Sequence, residues 1–179
     1  LGQAAHSLLS QLGYRVITPP WNCCGRPLIS KGLLEQAQKK AQKLVEILYP
    51  FAKENIPIIG IEPSCILTIK DDLYSLLPDP KSKIVSQACQ TIDHFLYELL
   101  EKKELRFAQK QRKTTAKLHI HCHQKALDGI KHPQKILEAI PNLSLELIQS
   151  GCCGMAGSFG YESEHYEISM KIGGLHLFP

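Results

Sequence analysis

The sequence predicts an α/β protein built as two similar halves, each a small parallel sheet with flanking helices. Three observations predict it. Amphipathic helical stretches alternate with short apolar runs, the order expected of parallel strands joined by crossover helices. The apolar runs are short and bounded by Gly and Pro, so they read as buried strands. A unit of helix, loop, strand and Cys-Cys-Gly occurs twice, as LLSQLGYRVITPPWNCCGRP and ILEAIPNLSLELIQSGCCGMAG, with 129 residues between Cys23 and Cys152 in numbering.

In chain order, residues 3–12 read as a helix ended by Gly13, and Tyr14–Thr18 as a strand stopped by Pro19 and Pro20. Ser30 is placed to cap a long helix from Lys31 to Lys53, with Leu33, Leu34, Ala37, Ala41, Leu44, Val45 and Leu48 along one stripe and an end or kink expected near Tyr49, before Pro50. Residues 56–61 (IPIIGI) read as a buried parallel strand, and Glu62-Pro-Ser-Cys65 turns the chain into a helix reaching Leu77. Lys83–Val85 reads as a short extended piece and Gln87–Phe107 as a helix with Ile92, Phe95, Leu96, Leu99 and Leu100 inward. The polar stretch 109–116 separates the halves, giving a first half over 1–108 and a second over 117–179. In the second, Lys117–His121 is a strand delivering Cys122 and His123. Pro133–Ile140 is a helix, Leu143–Ile148 a strand, and Glu162–Leu175 a closing helix.

Composition narrows the classes. The chain has 179 residues, 44% of them hydrophobic, and a net charge of +4 spread over dispersed Lys and Arg. The densest basic run, Lys110–Lys113, contains no aromatic residue and reads as a solvated linker, so no nucleic-acid partner is expected. No stretch reaches the roughly 20 apolar residues of a membrane span, and the opening residues do not form a signal peptide. The chain is expected to be a fragment of something longer. Seven cysteines, four of them vicinal, fit cytosolic thiolates acting as ligands or redox groups better than a disulfide framework.

Each Cys-Cys-Gly falls at the carboxyl end of an expected strand, where open parallel sheets place their chemistry. A strand-to-helix turn suits an anionic sulfur site because free N–H groups and the helix dipole stabilise thiolates. Gly25 and Gly154 permit a left-handed backbone there. Cys65 follows Cys24 after 40 intervening residues, and Cys122 precedes Cys152 by 29. Superimposing the repeats places the counterpart of Cys122 at position −7 and that of Cys65 near 194. Each half is therefore expected to present three of four thiols, with the missing one outside this chain. Cys89, beside Ala88 and Ile92, reads as a buried core thiol.

The doubled Cys-Cys-Gly, with CCGRPLISKG, GIEPSC, HCHQKAL and SGCCGMAGSFGYESEHYEISMKIG, resembles the cysteine-rich CCG domain. That domain occurs twice in a component of heterodisulfide reductase and in the iron–sulfur components of glycolate oxidase, lactate-utilisation proteins and anaerobic glycerol-3-phosphate dehydrogenase. The wording is most similar to the C-terminal part of fused flavoproteins that oxidise D-2-hydroxy acids. The resemblance implies Rossmann-like halves, [4Fe–4S] ligation by Cys23, Cys24 and Cys65 in the first half and by Cys122, Cys152 and Cys153 in the second, and upstream FAD-linked and ferredoxin-like regions of the same polypeptide. It also implies an electron acceptor, either a quinone or a carrier protein, and a cytoplasmic setting that admits a peripheral position on the inner membrane face. Where the family has Cys-x-x-Cys this chain has Glu62-Pro-Ser-Cys65, which argues against a noncubane double cluster. A four-cysteine cluster or a thiolate-rich zinc site needs only what remains.

Several residues admit two roles. Glu62 is an oxygen ligand or a turn residue. His121 and His123 are a ligand or proton relay beside Cys122, or backbone hydrogen-bonders at a strand end. Arg26 and Lys125 balance sulfur charge or lie on the surface. Trp21, next to Asn22, packs over the first site, and His165 and Tyr166 line the cleft behind the glycine-rich loop 154–160, which lacks the spacing of a dinucleotide site. For the whole chain, the readings are an electron-transferring iron–sulfur domain, a structural or docking domain with zinc-binding or vestigial cysteines, and dithiol–disulfide exchange.

Overall fold

The computed structural model describes residues 1–20, 22–108, 112–149 and 151–178. Two compact units divide the chain, Leu1–Leu105 and Arg106–Pro179. The expectations for Trp21 and for the start of the basic run, residues 109–111, lie outside the described residues.

In the first unit, α1 (Gly2–Gln11) leads to residues 14–20, which form no helix and pair with no strand among the described residues. The strand expected at Tyr14–Thr18 therefore does not form a ladder among the described residues. The long helix expected from Lys31 is divided. α2 (Arg26–Ser30) takes the turn after Cys-Cys-Gly, and α3 (Leu34–Ala52) carries the amphipathic stripe. Ala37, Ala41, Leu44, Val45, Leu48 and Ala52 are its buried face, while Leu33 and Leu34 stay exposed. Pro50 does not end α3. It has no N–H for the Glu46 carbonyl, and α3 continues only to Ala52 beyond it.

β1 (Ile58–Gly60) is followed by α4 (Pro63–Leu67), a π-turn at Thr68–Asp72 and α5 (Leu73–Leu76). The single helix expected after Cys65 thus carries a widened turn, beside which Thr68 donates its hydroxyl back to Ser64 O at 2.8 Å. Lys83–Val85, expected to be extended, lies within α6 (Pro80–Ala88). Asp79 caps it by accepting from the N–H groups of Lys81 and Ser82, and Pro80 occupies the first turn. The helix expected from Gln87 begins only at Ile92. Cys89–Thr91 forms β2, with Cys89 and Thr91 buried and Gln90 half-buried between them, the period of a strand. Thr91 then caps α7 (Ile92–Glu101) through His94 N–H. β2 pairs in parallel with β1, Ile58 opposite Cys89 and Gly60 opposite Thr91. The core is built on α3 with Ile66, Leu67, Ile69, Leu73, Val85 and Cys89.

In the second unit β3 (Thr114–Leu118) begins earlier than expected and ends before Cys122, which starts α8 (Cys122–Leu127). α9 (Lys131–Glu138) and β4 (Leu143–Leu147) follow. β3 and β4 pair in parallel from Thr114 opposite Leu143 to Leu118 opposite Leu147, and Ile148 N–H extends the ladder to Leu118 O at 2.9 Å. The closing helix is shorter than expected, because 3₁₀ turns at Phe159–Tyr161 and Ser163–His165 precede α10 (Tyr166–Gly174). Among the described residues its buried hydrophobic side chains are only Ile120 and Ile136, a thin core for a parallel sheet.

Both units are therefore α/β, each with one two-stranded parallel sheet and flanking helices among the described residues. At Gly60 an added Cβ would collide with the Ile66 side chain. Gly60→Ala is expected to cost about 2 kcal/mol by forcing β1 and α4 apart, read as a lower urea midpoint with an unchanged m-value.

Candidate functional site

The first cysteine pair sits on a turn whose geometry is set by Gly25. Its φ of 85° is left-handed, and it caps the N-terminus of α2. The same residue donates its N–H to Cys23 Sγ at 3.5 Å. Asn22 anchors the approach by donating its side-chain amide to Cys23 O at 3.3 Å and to Lys40 O of α3 at 3.2 Å. Cys23 is half-buried, Cys24 buried and Cys65 exposed.

The three sulfurs form one electrostatic group. The Cys65 thiol donates to Cys24 and, with the Arg26 N–H, lowers the Cys24 pKa from 9.0 to about 6 against the cost of burial. Cys65 moves in the opposite direction because it supplies that hydrogen bond, is partly desolvated, and faces the charges of Cys24, Glu62 and Cys23. The structure thus brings Cys65 to Cys23 and Cys24 across 40 intervening residues. Glu62 lies near Cys65, with one carboxylate oxygen accepting from Ser64 N–H at 3.2 Å as the cap of α4. Arg26 extends to Asp72 in the π-turn, Nη1 to Oδ2 at 3.1 Å. Asp72 carries no signal in the sequence, because its partner Arg26 lies 46 residues away.

The second pair repeats the turn. Gly154 has φ 87°, and its N–H lies 3.4 Å from Cys152 Sγ. Cys152 is exposed and Cys153 half-buried. Partial burial raises the Cys122 pKa, and the charges of Cys152 and Cys153 raise it further, so these three thiols also share one locality. His121 caps α8 by accepting the His123 N–H on Nδ1 at 3.2 Å, which is the backbone role. His123 is half-buried and Lys125 exposed. His165 stacks on Phe159 with ring centroids 4.0 Å apart and pairs through Nδ1 with Glu162 at 3.1 Å, while Tyr166 is exposed.

Cys89 stands apart. It is 1% exposed inside the core of the first unit, and burial pushes its pKa up to about 12.

The profile of the cysteine-rich CCG domain matches residues 1–70. A D-2-hydroxyglutarate dehydrogenase of Pantoea ananatis is 28% identical, covering 96% of this chain and 16% of that protein. A component of the anaerobic glycerol-3-phosphate dehydrogenase of Escherichia coli K12 is 27% identical, over 97% of this chain and 44% of the relative. Lactate utilization protein A of Oceanobacillus iheyensis is 27% identical over 96% of the chain and 70% of its own length. The chain thus spans less than half of the first two relatives. No solved structure matches it. No helix among the described residues is long and apolar enough to cross a membrane.

Two outcomes follow from this geometry. At Gly25 an added Cβ meets only ordinary contacts near 3.7 Å, so Gly25→Ala should cost about 1–2 kcal/mol from backbone strain alone. At Gly154 the same Cβ would run into the Ser169 carbonyl of α10 as well, and Gly154→Ala should cost about 2–4 kcal/mol, both read by urea unfolding. In the metal-free chain, Cys24 should ionise with a midpoint about 6, followed by thiolate ultraviolet absorbance. Because the folded Cys24 pKa is depressed, the stabilisation it contributes is lost as pH falls through about 6, while Cys65, raised by the same hydrogen bond, withdraws stability as pH climbs past the ordinary thiol value. Cys65→Ala should move that midpoint upward.

Proposed function

We propose that this chain, whose residues 1–70 match the cysteine-rich CCG domain, is an iron–sulfur electron-transfer module of a larger FAD-linked D-2-hydroxy-acid oxidoreductase. One observation carries the reading. Two turns 129 residues apart hold a left-handed glycine whose N–H reaches the first sulfur of a vicinal pair, with a third thiol beside each pair.

The donor set fits a thiolate-ligated cluster. Cys23, Cys24 and Cys65 would hold one [4Fe–4S] group, and Cys122, Cys152 and Cys153 a second, each with a fourth thiolate from polypeptide outside this chain. When bound, such a group supplies one-electron acceptance and release. The N–H groups of Gly25 and Gly154 donate to the first sulfur of each pair, the kind of outer partner that orients a ligating thiolate. The Arg26 N–H favours the anionic form of Cys24. Glu62 serves as a helix cap and as a negative charge beside Cys65 rather than as a ligand, and His123 flanks Cys122.

Relatives named as dehydrogenases of 2-hydroxyglutarate and glycerol 3-phosphate, and as a lactate-utilisation protein, support a redox setting and a hydroxy-acid substrate for the whole protein. In that setting the chain passes electrons from an upstream flavin toward a quinone or carrier protein on the cytoplasmic side, and is not catalytic alone.

Anaerobic reconstitution of the full-length polypeptide with iron and sulfide tests this. The expected result is iron bound in excess of the upstream clusters, with Cys24→Ser or Cys153→Ser each removing the iron of one site. Iron content unchanged by both substitutions, with stoichiometric zinc lost instead, would establish the structural or docking role.

A further inference from the structure

We propose that an apolar groove in the first unit is the seat of a β-strand from the polypeptide ahead of Leu1, laid parallel between residues 14–18 and β1. The groove has a volume of about 390 Å³, and its walls include Leu9, Val16, Ile17, Ile59, Ile61 and Phe95. One long wall is formed by residues 14–19 and the other by residues of 56–61, the segment that includes β1. β1 is paired only with β2 among the described residues. Among those residues, Arg15–Pro19 enters no main-chain hydrogen bond, and the last one before it is Tyr14 N–H to Leu9 O at 3.0 Å. An occupant of the apolar groove would take these peptide groups out of water, and another backbone in a ladder would satisfy them.

The second unit shows what satisfies them. β4 is the counterpart of Tyr14–Thr18 at the 129-residue offset, and it pairs in parallel with β3 over its whole length. The first-unit counterpart of β3 falls ahead of Leu1, at positions −15 to −11. Relatives several times as long as this chain match it. An occupant strand bonded on both edges would read as a short, nearly continuous apolar run rich in β-branched residues. Running parallel, it would emerge at the same end as Thr18 and Ile61, from which the chain continues to Cys23 and Cys65. Docking needs no metal, so it stands or falls independently of the iron–sulfur reading.

Amide hydrogen exchange of the full-length polypeptide, compared with the 179-residue chain, tests the proposal. Peptides covering Arg15–Thr18 and Ile59–Ile61 should exchange at least about tenfold more slowly in the full-length protein, while Ala41–Leu48 of α3 is unchanged. In the full-length protein, Val16→Lys should restore fast exchange at both walls and leave α3 protected. Equal exchange of the walls in the two polypeptides would overturn the proposal. So would protection that survives Val16→Lys, or protection that grows in the 179-residue chain on concentrating it, which would assign the groove to a second copy.

Discussion

A glycine held in the left-handed region behind each vicinal pair decides where four of the seven thiols lie and where two more must be brought. In that conformation the glycine N–H turns back onto the first sulfur, and the chain behind it is free to start a new helix or loop. An L-residue at Gly25 meets strain alone. At Gly154 it meets both strain and a packed carbonyl. The other elements bring thiols to these turns. β1 and α4 place Cys65 beside Cys24, and the short connection after β3 starts α8 at Cys122. Capping by Glu62 and His121 orders those approaches locally.

The two units reach a similar site from unequal foundations. The first packs α4, α5, α6 and β2 around α3, and its turn is tied to that core through Asn22 and Lys40. The second has few large buried side chains among the described residues, and glycines at 154, 160 and 173 let α10 approach the cysteine turn closely. Backbone proximity replaces side-chain volume there. A methyl group added in the second unit therefore matters more than one added at the matching place in the first.

The repeat was legible because Cys-Cys-Gly is rare and its strand and helix recur in phase. The core stripe of α3 was legible because periodicity survives whatever the tertiary context. Three local structures were not. Cys-Gln-Thr at 89–91 continues an apparently helical run, and only its pairing with β1 makes it a strand. Residues 83–85 look extended until the Asp79-Pro80 start of α6 is given weight. Tyr14–Thr18 has a strand's composition, but a ladder requires a neighbour as well as a propensity. The gathering of Cys65 and Cys122 at the two turns was inferred from matched strand ends. The Arg26–Asp72 pair depends on a π-turn that no residue pattern announces.

Cys89 offers a use of a different kind. Six thiols lie at turns where solvent, oxidants or metal ions reach at least some of them, whereas the seventh is sealed between β1 and α4 with its proton firmly held. An alkylating reagent applied to the folded chain would find Cys89 only when the core opens. The protein therefore carries its own gauge of integrity, a spectator thiol whose labelling separates damage to the exposed sites from loss of the fold beneath them.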